Sequence, residues 1–436
     1  MDSVADLLRL SCTDPNTLRK SDSLRQIADR IELDFPYGET EIADNLKKKI
    51  GKYSNEEKDL WEKTNWLESR IINGEKRYFS RAVSNLALLK SFHLDRPGRD
   101  TLISHDPEIL FRKKHTGEII RHSEPDNKPV LPVKITVNYT LTVDPDAVPE
   151  GKTVRCWLPY PRSDRERQKE VRLLSASDEK YILSPDSANH MTIYMESKAL
   201  RGKPVVFNVK YSYQSSGQYF NPLSIKYLPY QTDKELYRKY TMEQPPQINF
   251  SDRVRKLADS IAAGETEPYR IVRKMYSWFS NNIPWAGALE YSTMPDIPGY
   301  VIRNRRGDCG MQTFLLMSML RYKGIPVRWQ SGWMMPPGAE NLHDWCEVYY
   351  EGTGWVPVDV SYGLQYSDNP GIKEFYITGI DSYRLIVNDG ISGRLFPAKK
   401  FMRSEPFDFQ RGEVEWEGGN LYFDKWDYNM KITYNQ

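Results

Sequence analysis

Apolar positions in the first third of the chain recur at a helical period. Ser54-Asn-Glu-Glu57 has the form of a capping box, and Leu60, Thr64, Leu67 and Ile71 follow at three- and four-residue spacing until Asn73-Gly74 stops the run. Tyr78, Phe79, Ala82, Val83, Leu86 and Leu89 resume the period. Residues 1–128 are expected to form a helical region, ending at the loop-like stretch Ser123-Glu-Pro-Asp-Asn-Lys-Pro129.

From Val130 the period changes to two. Residues 134–143 alternate polar with apolar side chains, as a half-buried strand does, and shorter runs at 154–158, 171–174, 191–195 and 205–213 are separated by Pro, Asp, Gly and Ser. This spacing predicts a β-sandwich of immunoglobulin-like type over 129–215. The mixed-sign run Arg162-Ser-Asp-Arg-Glu-Arg-Gln-Lys-Glu170 is expected to be a solvated loop. Residues 216–251, rich in Tyr, Pro and Gln, read as an ordered connector. In the last region, 252–436, Ile271, Met275, Trp278 and Phe279 mark one helix face, and strand-like pieces at 421–423 and 430–434 are expected to close that domain.

Composition adds mainly exclusions. A chain of 436 residues favours two or three domains, since single cores stop growing near ~250–300 residues. The hydrophobic content of 39% supports packed cores, and the net charge of +2 argues against nucleic acid as a partner. Four scattered cysteines (Cys12, Cys156, Cys309 and Cys346) make neither a disulfide framework nor a Cys-x-x-Cys zinc pair. No apolar run approaches the ~20 residues of a transmembrane helix. The N-terminus lacks the layout of a signal peptide, so a cytoplasmic location is expected unless Met1 replaces a removed leader, in which case the periplasm or secretion is.

The chemistry concentrates in one place. Gly307-Asp-Cys-Gly-Met311 opens an apolar helix pattern through Phe314, Leu315 and Leu320 that stops at Lys323-Gly324. Asp308 is a plausible N-cap, which leaves Cys309 on the first turn, where unpaired N–H groups and the helix dipole favour the thiolate. The flanking glycines suggest an exposed turn, and the thiol is expected to ionise below its free value of ~8.5. His343 lies on a strand, sharing a face with Trp345 and Glu347, while Asp344, Cys346 and Val348 share the other. A four-residue loop Glu351-Gly-Thr-Gly354 then returns Trp355-Val-Pro-Val-Asp359, with Asp359 opposite Cys346 and a diagonal step from His343. Nucleophile, base and orienting acid are the parts of an activated cysteine site.

The order Gly-Asp-Cys-Gly, Gly324-Ile-Pro-Val-Arg328, Gly332-Trp333, His343-Asp-Trp-x-Glu-Val and Gly354-Trp-Val-Pro-Val-Asp359 resembles the transglutaminase-like superfamily over about 252–365. The resemblance implies an α+β, papain-like core in which a helix bearing Cys309 packs on an antiparallel sheet bearing His343 and Asp359. It implies Cys309 as nucleophile, His343 as general base and acid, and Asp359 as orienting group, with no cofactor and no metal. The β-rich region ahead of the core resembles accessory domains of bacterial members. Val360-Ser361 departs from the Pro-Thr often found there. Trp285 sits where relatives often carry an aromatic, so its indole N–H is a candidate oxyanion donor, with Tyr291 competing and Trp333 and Trp345 as cleft candidates. The expected function is cysteine-dependent hydrolysis of an amide or peptide bond in a peptide, protein or amide substrate. Acyl transfer to an amine is the alternative, and a non-enzymatic binding role a third reading.

Overall fold

The computed structural model describes residues 14–94, 105–123 and 127–435. The chain begins with helices Pro15–Asp34, Glu39–Lys49 and Asn55–Lys63. The third starts at the capping box: Ser54 Oγ accepts the Glu57 N–H at 3.2 Å, and Glu57 accepts the Ser54 N–H at 2.9 Å. It then ends early. Ile71 belongs to β1 (Ser69–Ile72), which turns through Asn73 (φ 51°) and Gly74 (φ 83°) into β2 (Glu75–Tyr78). Asn-Gly with both residues at positive φ is a tight hairpin turn rather than a helix stop, so the expected continuous helical period is corrected here. Helices Ala82–Phe92 and Pro107–Ser123 complete the region. Residues 1–13, with the start of the chain and Cys12, and residues 124–126 of the boundary loop lie outside the described residues.

Two five-stranded sheets form the sandwich. One is built from β3 (Val130–Val143), β5 (Gln168–Ala176), β8 (Val205–Tyr219), β12 (Gly379–Ile380) and β16 (Trp426–Asn435). The other holds β4 (Thr153–Pro159), β6 (Ile182–Leu183), β7 (Thr192–Lys198), β14 (Glu413–Trp416) and β15 (Gly419–Leu421). Val137, Leu141 and Val209 of the first meet Val154, Trp157 and Ile193 of the second in one apolar core. The C-terminal strands therefore do not close the last domain, as their position in sequence suggested. β16 pairs along β3 from Trp426–Val143 to Asn435–Lys134, and Val414 pairs with Cys156 on β4. Sheet edges with unsatisfied backbone groups recruit the tail.

Between these strands lies the third unit. Helices Asp252–Ala262, Pro268–Asn282, Ile297–Asn304 and Cys309–Tyr322 lead into a four-stranded antiparallel sheet ordered β11-β10-β9-β13. Its strands are β9 (Val327–Met334), β10 (Asn341–Tyr350), β11 (Gly354–Val358) and β13 (Arg384–Asn388). The Cys309–Tyr322 helix is apolar nearly all round and buried from Cys309 to Arg321, the pattern of a central helix. Its Phe314 and Leu315 join Cys346, Val348 and Val356 of the sheet in one core, with Phe314 stacked on Trp329 at 4.2 Å. Trp333 and Leu385, at the other end of the sheet, insert into the sandwich core. Among the described residues no helix is long and apolar enough to cross a membrane.

Candidate active site

Cys309 is the first residue of its helix, and Asp308 caps it by accepting the Met311 N–H at 2.9 Å. Tyr291 steadies the cap, donating its hydroxyl to Asp308 at 2.6 Å. The glycines beside the cysteine serve close packing, not an exposed turn. A Cβ at Gly310 would fall 2.2 Å from the Tyr291 hydroxyl and 2.6 Å from an Asp344 oxygen, and Cys309 itself is only 7% exposed.

The thiol donates to Asp344 Oδ2 at 3.4 Å, and the other Asp344 oxygen accepts Gln410 Nε2 at 2.8 Å. Among the described residues, no hydrogen bond joins the thiol to His343. Burial first, then the Asp344 and Asp308 carboxyls, push the Cys309 thiol well above its usual range. The sequence led to the opposite expectation. The helix dipole, worth about 0.3–1 kcal/mol at an exposed site, does not outweigh desolvation beside two acids. Asp344 is itself pushed well up by burial and by Asp408.

His343 and Asp359 meet through the hairpin register. Tyr350 pairs with Gly354 and Cys346 with Val358, so the loop is three residues, 351–353, and not four. The next position, Asp359, falls beside Trp345 rather than Cys346. That one-residue difference puts Asp359 on the His343 face, a diagonal neighbour within side-chain reach. His343 Nε2 and Asp359 Oδ2 lie 2.7 Å apart. Arg384 Nη1 donates to the same oxygen at 2.8 Å, and Ser361 donates to Oδ1 at 3.0 Å. Against the upward effect of burial, His343 and Arg384 hold the Asp359 carboxyl down to about 2. Arg384 also binds Asp381 at 2.6 Å. The imidazole is buried beside Trp345 and Tyr362, at 6.0 Å and 5.2 Å between rings.

Strand alternation explains why Cys309 meets Asp344. Successive side chains of β10 point to opposite faces, and Cys346 and Val348 face the cysteine helix. Asp344 shares their face and His343 does not. The sequence already carried this alternation, and the role of Asp344 was readable from it. Arg384 and Gln410 were not readable, because they reach the site from distant segments.

A cavity of about 140 Å³ opens at Cys309, bordered by Trp285, Glu290, Asp344, Asp408 and Arg411. Trp285 is 39% exposed and bridges to Gly307, which places it beside the motif; its indole makes no hydrogen bond among the described residues. Trp333 and Trp345 are corrected as cleft candidates. Both are buried, and their N–H groups are committed to the Gln410 carbonyl (3.1 Å) and to Gln330 Oε1 (2.9 Å). The N-terminal region walls the cavity through Arg81, and Asn85 exchanges two hydrogen bonds with the Gly287 backbone. Among the described residues no cluster of three His, Cys, Asp or Glu side chains is arranged to hold a metal ion.

Residues 255–360 match the sequence model of the transglutaminase-like superfamily. The chain carries a transglutaminase-like domain. No curated protein matches the whole sequence. Three solved structures are similar at low identity. A candidate cysteine protease from Cytophaga hutchinsonii is 13% identical with a TM-score of 0.48, over 70% of this chain and 91% of that one. The periplasmic domain of TgpA from Pseudomonas aeruginosa is 14% identical with a TM-score of 0.28, over 58% and 91%. A candidate protease from Parabacteroides distasonis is 12% identical with a TM-score of 0.21, over 51% and 62%. At these scores the three structures add no functional information. The matched segment runs from within the Asp252–Ala262 helix through β11 and includes Cys309, His343 and Asp359.

Proposed function

We propose that the transglutaminase-like domain is a cysteine-dependent hydrolase of amide or peptide bonds that works through Cys309, His343 and Asp359. The observation that carries this reading is the 2.7 Å pair between His343 Nε2 and Asp359, beside a capped helix that begins at Cys309. An ionised Asp359 holds a proton on Nε2 and leaves Nδ1 free to accept one. The resting thiol sits on Asp344, so reaction requires it to leave Asp344 and give its proton to Nδ1, forming thiolate and imidazolium. The thiolate then attacks the carbonyl, forming the C–S bond, and the proton on His343 passes to the leaving amine as the C–N bond breaks. Water, with His343 as base, releases the acid and the free thiol. In this reading the Cys309 and Gly310 N–H groups and the Trp285 indole would hold the oxyanion.

The carboxyl groups around the thiol favour a second reading, in which an amine drawn there as its cation gives a proton to His343, attacks the thioester and leaves as the amide while the thiol is released, so that the reaction is transfer. Labelling with a thiol-reactive acyl probe, followed by profiling on a peptide library with and without a primary amine, tests both. The hydrolase reading expects labelling that disappears in Cys309→Ala and His343→Ala and yields free acid. Amide turnover that survives Cys309→Ala would remove the thiol from the mechanism.

A further inference from the structure

The run 162–170 is not the solvated loop its mixed charge suggested: Arg162 and Arg167 are buried where the sandwich meets the transglutaminase-like sheet. Here a cleft of about 680 Å³ is bordered by Arg165, Arg167, Phe220, Lys226, Arg328 and Trp355. Its charges do not balance. Arg162 grips Asp164 with bonds of 2.9 and 3.1 Å, and Arg165 pairs with Asp164 and Asp389. Arg167 and Arg328 share Glu347, at 3.4 and 2.6 Å. Four guanidinium groups thus rest on three carboxylates, with Lys226 exposed at the rim; Glu166, also exposed, is the opposing charge there.

The hydrogen bonding is unfinished as well. Arg167 is 5% exposed, and its Nη2 donates to Gln330 at 3.0 Å and to Glu347. Among the described residues its Nη1 has no acceptor, and neither has the buried Nε of Arg165. Buried donors without partners cost free energy, and paired cations rarely leave one positive charge uncompensated inside a protein. Burial, then the neighbouring Arg384 and Arg328, lower the Arg167 guanidinium despite Glu347, which fits a site short of negative charge. Arg328 Cζ lies over the Trp355 ring, 4.3 Å from its centroid, so the floor is partly apolar. The cleft volume falls within the ~300–1,000 Å³ typical of small-molecule sites, which favour domain seams.

We propose that this cleft binds a small molecule bearing a phosphate or carboxylate group, whose oxygens accept from Arg167 and Arg165 and pair with the excess positive charge. Such a site is independent of Cys309. Isothermal titration of the full chain with inorganic phosphate and, separately, with succinate, at constant ionic strength, tests it and separates the two oxyanions. Saturable binding of one probe, millimolar or tighter, is expected. Arg167→Met should weaken it about tenfold or more and the exposed Lys226→Met about threefold. Failure of both probes to saturate overturns the site, as does a folded Arg167→Met protein that binds like the wild type. If Arg167→Met does not fold, Lys226→Met decides, and unchanged affinity there overturns the proposal.

Discussion

The Cys309 thiol donates to Asp344 Oδ2 at 3.4 Å, so in its resting state the cysteine is held by an acid and not by a base. Burial first, then the nearby Asp344 and Asp308 carboxyls, disfavour the thiolate and push the thiol well above its usual range. Cys309 in the wild type should therefore react with iodoacetamide along a curve displaced above the free-thiol midpoint of ~8.5. Asp344→Asn removes the neighbouring acid and keeps the shape, so the reactive limb should move to lower pH. A wild-type limb already complete below pH 7 would show that the thiol is ionised by His343 instead.

Arg384 neutralises two buried carboxylates, Asp359 and Asp381. Arg384→Met leaves both without their cation and should cost about 3–5 kcal/mol of stability, read as a lowered urea midpoint. Asp359 titrates near 2, below its unfolded value, so its contribution is present above about pH 4 and lost as pH falls through 2. Acid unfolding of the Arg384→Met protein should begin at higher pH than in the wild type. Equal acid midpoints would show that the arginine does not hold Asp359 ionised.

Trp285→Phe keeps an aromatic wall at the cavity and removes the N–H. If that N–H holds the oxyanion, kcat should fall about a hundredfold or more while KM changes little. A change confined to KM would make Trp285 a cleft wall alone.

Asp34 ends the first helix and accepts the Glu290 N–H at 3.1 Å. Burial, then Glu290, raise its carboxyl to about 7. A carboxyl raised on folding favours the folded state when protonated, so this stabilisation is complete below about pH 4 and is lost as pH rises through 7. Thermal unfolding of the wild type should fall across that window, and Asp34→Asn should flatten the slope, recovering up to about 4 kcal/mol at pH 8. Identical slopes would place Asp34 in water.

Local pattern settled the parts of this protein. The alternation of β3, the capping box at Ser54, the apolar run after Cys309 and the cap at Asp308 all follow from short-range spacing, because period and capping act within one or two turns of chain. The spacing of Cys309, His343 and Asp359 likewise marks them as candidate site residues. Tertiary structure decided the rest. A loop one residue shorter than expected moved Asp359 to the His343 face, and a strand register has no local signal that fixes it. The tail joined the sandwich because open sheet edges there accept it from far along the chain. Arg384 and Gln410 reached the site, and Arg167 was buried opposite Glu347, only through contacts between segments distant in sequence. The ionisation of Cys309 depends on what surrounds it: spacing places the thiol at a helix start, while burial, with Asp344 and Asp308 beside it, disfavours the thiolate.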